Sequence, residues 1–148
     1  KEQKMKNLFR TLIVSVFLGV LMSTAAFAQN STEAAVITKV NEIRVANGLN
    51  ALRYDAELEA DSSVRANEIT TKFSHTRPDG SDWYTVDEDL MYGENLAEGY
   101  NSADAVVNAW MASPEHKANI LKSDFTSIAV SSTTKNGKTY WAQEFGMD

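Results

Sequence analysis

The chain has 148 residues, 43% of them hydrophobic, with 14 Lys and Arg, 20 Asp and Glu and no cysteine. That length supports one domain with a genuine core and makes two domains unneeded. The net charge of −6, with no cluster of Lys and Arg, argues against partners recognised through phosphate, nucleic acid first and anionic lipid headgroups second. With no cysteine, the fold rests on its core and not on a disulfide framework.

Residues 1–28 read as a secretory signal peptide, with Met5 as the start and residues 1–4 upstream. "KMKNLFR" supplies positive charge, "TLIVSVFLGVLM" an apolar run of about a dozen residues, and "AFA" at Ala26–Ala28 a small-x-small cleavage site. The run is short for a bilayer span, which takes roughly 20 residues, and no transmembrane anchor is expected after processing. Removing this segment takes four basic residues and Glu2 with it, leaving 10 basic against 19 acidic, a net charge of −9. The expected mature unit is a single domain over residues 29–148.

In that unit Asn30 and Glu33 have capping-box spacing and open a helix carrying Val36, Val40 and Ile43, which Asn47–Gly48 closes. "LNALRYD" is a short extended crossing. Asp55 caps a second helix with Leu58, Ala66, Ile69 and Phe73 among its apolar positions, placing His75 just past its end. From Pro78 to Gly93 the sequence is loop-like. Ser102 caps a third helix with Ala103, Val106, Val107, Trp110 and Met111 in one apolar stripe. Ser113–Pro114 then restarts the chain as a short helix to about Leu121, with Glu115 and His116 in its first turn. "FTSIAVSST" and "TYWAQEFG" alternate as strands around an Asn136–Gly137 hairpin turn. Helices first and a hairpin last define an α+β class.

Read together, "FSHTRPDGS", "GENLA", "AVVNAWMASPEHKANIL" and "YWAQEFG" resemble the CAP superfamily, or SCP domain, over roughly Ala34 to Gly146. The family includes cysteine-rich secretory proteins, insect-venom antigens and plant pathogenesis-related proteins. The resemblance implies a three-layer α-β-α sandwich with a central antiparallel sheet, and a cleft where two histidines and two acidic residues converge. Position by position, His75 corresponds to the first cleft histidine, Glu94 to the glutamate of "GEN", and His116 to the second histidine. The second glutamate commonly lies three positions after the helix tryptophan, where this chain has Ser113. Cysteine-free bacterial members share that loss, and Glu115 stands nearby as a partial substitute.

His75, His116 and Glu94 are a ligand set suited to a divalent metal such as zinc, although no compact metal motif is present. The alternative is a polar cluster in which both histidines bond to Glu94. Ser74, Ser81 and Ser113 lie near histidines, but no nucleophile elbow accompanies them. Glu98 is too solvent-facing to pair with Glu94 as a glycosidase acid and base. Trp83, Tyr84, Tyr92 and Tyr100 are candidates to line an apolar groove for a lipid or other small ligand, or to close the edges of the core; Trp110 and Trp141 belong to the core. The reading is a secreted binding module for an extracellular or cell-surface ligand, set against a metal-dependent hydrolase of peptide or cell-wall material, and the sequence leaves open whether the protein is an enzyme.

Overall fold

The computed structural model describes residues 30–148; the expected signal peptide lies outside them. Helix α1, Ser31–Ala46, opens on the capping box: Asn30 Oδ1 accepts from the N–H groups of Thr32 and Glu33, and Glu33 returns a carboxylate to the Asn30 N–H. It stops at Asn47 because Gly48, at φ +76°, takes a left-handed conformation that a side chain disfavours. Arg44 near its end is 1% exposed and donates to the carbonyls of Asn50, Ile120 and Lys122. Helix α1 is thereby fastened to the segment leading into the hairpin.

The crossing forms strand β1, Arg53–Tyr54, and Asp55 then caps helix α2, Ala56–Glu68, through the N–H groups of Glu57 and Leu58. The helix ends earlier than its apolar pattern implies. Thr70 and Thr71 bond back to Asn67 and Glu68 as turns, so Phe73 leaves the helix and is 47% exposed. A one-turn 3-10 segment, Trp83–Val86, precedes strand β2, Gly93–Glu98, where the sequence suggested a loop. A Cβ at Gly93 would stand 2.5 Å from the Phe125 ring; glycine is there for close approach, and the strand runs through it.

Helix α3, Ala103–Ala112, and helix α4, Pro114–Ile120, follow as expected. Strands β3, Ser127–Lys135, and β4, Lys138–Gly146, close on Asn136 and Gly137 at φ +52° and +76°, the pair of left-handed residues that a tight hairpin turn requires. The sheet order is β1-β3-β4-β2. It is a mixed sheet, because β1 runs parallel to β3 while the other pairings are antiparallel.

The alternation of strand side chains makes three layers. Val36, Val40, Val106 and Trp110 cover one face over Ile128, Val130, Trp141 and Phe145. On the other face α2 packs Ala66 and Ile69 on Leu96 and Ala142, and Leu58 on Ala129 and Met91. Trp110 and Trp141, 1% and 2% exposed, each end in a bonded indole N–H, to Leu96 O at 3.0 Å and Tyr100 O at 2.8 Å. The result is an α-β-α sandwich with β2 on one edge.

Candidate functional site

Helix α2 presents Leu58, Ser62, Arg65, Ala66 and Ile69 to the sheet at helical spacing, which aims Arg65 at the face where Glu94 emerges from β2. The guanidinium meets the carboxylate with two bonds, Nε to Oε2 at 2.7 Å and Nη2 to Oε1 at 3.1 Å. Both side chains are fully buried. Arg65 also donates to Glu68 at 2.6 Å and to Ser74 O at 2.7 Å, drawing the chain after α2 against the helix. His75 comes next, and its Nδ1 lies 2.7 Å from Glu94 Oε1.

Burial pushes the Glu94 carboxyl up, but the bonds from His75 and Arg65 outweigh it and hold the group below its ordinary range. An ionised Glu94 accepts, so the tautomer assigned to His75 carries its proton on Nδ1 and leaves Nε2 as a lone pair. The imidazole is 55% exposed.

His116 is placed from the opposite helical layer. Ser113 is at once the C-cap of α3 and the N-cap of α4, yet its hydroxyl caps neither helix; it lies 2.8 Å from His116 Nδ1. Asn95 donates to His116 O and to Gln143 Oε1, while Asn119 donates to Glu94 O and Asn95 Oδ1. These amides pin α4 to β2. The His116 imidazole is pushed down, by burial first and then by the nearby His75.

Of the expected residues, His75 and Glu94 are in direct contact, and Ser113 and His116 are in direct contact. Asn119 and Asn95 join the two pairs across β2. Glu115 is exposed on α4. The carboxylate of Glu94 is turned to Arg65 and His75, and among the described residues no three His, Cys, Asp or Glu side chains are grouped to hold a metal ion. Ser74 Oγ accepts from the Thr76 N–H and Ser81 bonds to Asp79, so neither is paired with a histidine. Glu98 ends β2 beside Lys138 at 3.2 Å. Trp83 packs with the Leu58, Met91 and Ala129 cluster, whereas Tyr100 joins Phe73, Leu96, Trp110 and His116 around a cavity of about 270 Å³.

Three positioning residues were missed by sequence reasoning, Arg65, Asn95 and Asn119, and so was the buried Glu144. Glu144 lies directly opposite Glu94 in the β2–β4 register. Burial first, and then the charge of Glu94, push its carboxyl well above the usual range.

The cysteine-rich secretory protein family, CAP, matches residues 37–145. The chain belongs to the CAP family. Bacillus subtilis YkwD, described as uncharacterized, is 29% identical over 134 residues, covering 83% of this chain and 50% of its own length. The chain therefore spans about half of that curated relative. Among solved structures, an outer surface protein of Borrelia burgdorferi superposes with a TM-score of 0.69 at 25% identity, over 80% of this chain and 96% of its own. An extracellular SCP-domain protein of Bacillus anthracis str. Ames gives 0.70 at 22% identity, over 81% of this chain and 41% of its own; at that identity the likeness is one of fold. Among the described residues of this CAP domain, no helix is long and apolar enough to cross a membrane.

Proposed function

We propose that this CAP domain is an extracellular binding module whose cleft lies at the β2 edge of the sandwich, with His75 and His116 as its metal-facing groups. The observation that carries this reading is the shared state of the two imidazoles: each has Nδ1 held by a protein partner, Glu94 or Ser113. Nε2 of each is then the nitrogen left for a ligand, the arrangement in which a carboxylate or hydroxyl orients a metal-binding histidine. The donor set fits two imidazole bonds to a divalent ion such as zinc, with Glu94 behind His75 and not itself a ligand. Affinity is then weak, because a closed zinc site takes four protein ligands and an open one three. A fold neighbour titled "NaASP2 with Zn2+" shares 14% identity at a TM-score of 0.61; that likeness extends to fold alone.

Hydrolysis is less well supported. A general base must give up its lone pair to a proton near neutral pH, and Glu94 is held ionised by a guanidinium with no second acid at Ser113. The imidazoles of His75 and His116 are the groups left for acid–base work, each with Nδ1 already held, by Glu94 or by Ser113. Calorimetric zinc titration at pH 7.5 tests the reading: His75→Ala and His116→Ala should each remove most of the heat. Unchanged affinity in both variants, or chelator-sensitive peptidase activity lost on Glu94→Gln, would overturn it.

A further inference from the structure

The ladder of β2 has a definite phase. The Gly99 N–H bonds Thr139 O at 2.8 Å, and with the Ala97↔Trp141 and Asn95↔Gln143 register this turns the backbone groups of Gly93, Asn95 and Ala97 toward β4. Those of Glu94, Leu96 and Glu98 face away from the sheet. Side chains from α3 and α4 take two of the outward carbonyls, Trp110 Nε1 on Leu96 O and Asn119 on Glu94 O. Among the described residues, no loop, cap or side-chain bond reaches the N–H groups of Leu96 and Glu98.

The cavity beside His116 opens along that stretch. Leu96, Ala97 and Glu98 form its floor, Phe73 one wall and Tyr100 and Trp110 others. It therefore spans the gap between the α2 layer and the α3–α4 layer at the uncovered end of an edge strand. At about 270 Å³ it falls just under the usual small-molecule range of about 300–1,000 Å³, a size suited to one inserted side chain with a short run of backbone.

We propose that an extended polypeptide segment docks here as a fifth strand beside β2, its carbonyls accepting from Leu96 N–H and Glu98 N–H and one apolar side chain entering the Phe73–Tyr100 cavity. Main-chain pairing supplies affinity and the pocket supplies selectivity in such strand addition. Charge favours a basic segment, since the chain carries a net charge of −6 and the lining holds the carboxylate of Glu98, which Lys138 approaches to 3.2 Å from outside the lining. The inference rests on reading this cleft as a binding site, and it does not need the metal.

The test uses the full domain in EDTA, with acetyl-Lys-Val-Phe-Val-Lys-amide as probe and amide NMR as readout. Saturable binding below about 1 mM, with shifted and exchange-protected Leu96 and Glu98 amides, is expected. The same peptide with trans-alkene isosteres in place of its central amides, which lack the accepting carbonyls, should bind at least tenfold more weakly, and replacing both lysines by glutamates should cost several-fold. Phe73→Ala and Tyr100→Ala remove exposed side chains, leave the fold intact by circular dichroism, and should each weaken binding. No saturable binding, unchanged Leu96 and Glu98 amides, or equal affinity for the alkene-substituted peptide would overturn the proposal. Because the chelator is present throughout, success or failure here is independent of the zinc titration.

Discussion

Arg65 and Glu94 form a two-bond ion pair with neither side chain exposed, and the cleft histidine hangs from it. Glu94 serves His75 as an ionised acceptor, and its carboxyl is held below its ordinary range against burial because His75 and the guanidinium of Arg65 both donate to its oxygens. Helix α2 thus sets the protonation of a residue on a strand it packs against.

Removing one partner strands the other's charge in the interior. Arg65→Met should therefore destabilise by about 3–5 kcal/mol, read as a shift in urea midpoint at constant slope. Adding Glu94→Leu to that variant should recover part of the loss, a coupling of about 1–3 kcal/mol between neighbours. Additive losses would show that the two groups do not act as a pair.

Two serines at helix starts should behave differently. Ser102 accepts from the Ala105 N–H, so Ser102→Ala should cost about 1 kcal/mol. Ser113 makes no such cap bond, so Ser113→Ala should cost under about 0.5 kcal/mol in stability. It should instead weaken zinc binding several-fold, since His116 loses the group that orients it. Denaturation and calorimetry on the same two variants check both halves.

Stability should fall as pH rises through the weakly acid range. Burial, and then the charge of Glu33, push Glu59 up to about 7, and burial with Asp87 pushes Asp61 to about 6. Each holds a proton in the folded state that the unfolded chain has lost, so raising the pH favours unfolding, by about 1.4 kcal/mol per pH unit for each proton. Glu144 adds a slope of the same sign. Glu59→Gln should flatten the curve between about pH 5 and 7; an unaltered slope in that variant would contradict the assignment.

Trp110 fills the centre of the larger core and closes a bond to Leu96 O. Trp110→Ala should cost about 3–5 kcal/mol, and Trp110→Phe less, since it leaves ring packing but orphans one buried carbonyl. Thermal melts of both variants give the comparison.

Features that were legible in the sequence are those whose cause is local. The Asn30–Glu33 box, the Asn136–Gly137 turn and Pro114 at a helix start act within a few residues, and each stands where expected. Strand β2 was not among the elements expected from the sequence, because only pairing with β4 more than forty residues later makes "GENLAE" a strand. The extended crossing at β1 was legible, but not its parallel pairing, which β3 defines. His75, Glu94 and His116 were found through motif resemblance. Arg65 and Glu144 were not, because a charged residue reads as solvated until the tertiary structure buries it.

Strand β4 lies between β3 and β2 although it is the last of the described strands in sequence order. Until Gly146 has been synthesised, β2 has no neighbour to pair with, and the strand that presents Glu94 to His75 has no fixed place. An incomplete nascent chain can form α1, α2 and α3 but cannot assemble the cleft. The ladder between β2 and β4 is the long-range step that slows folding in β-containing domains, so the helices wait on the sheet. Any quality control that samples this protein before the sheet forms meets exposed apolar helix faces, and completing the sheet with β4 is what hides them.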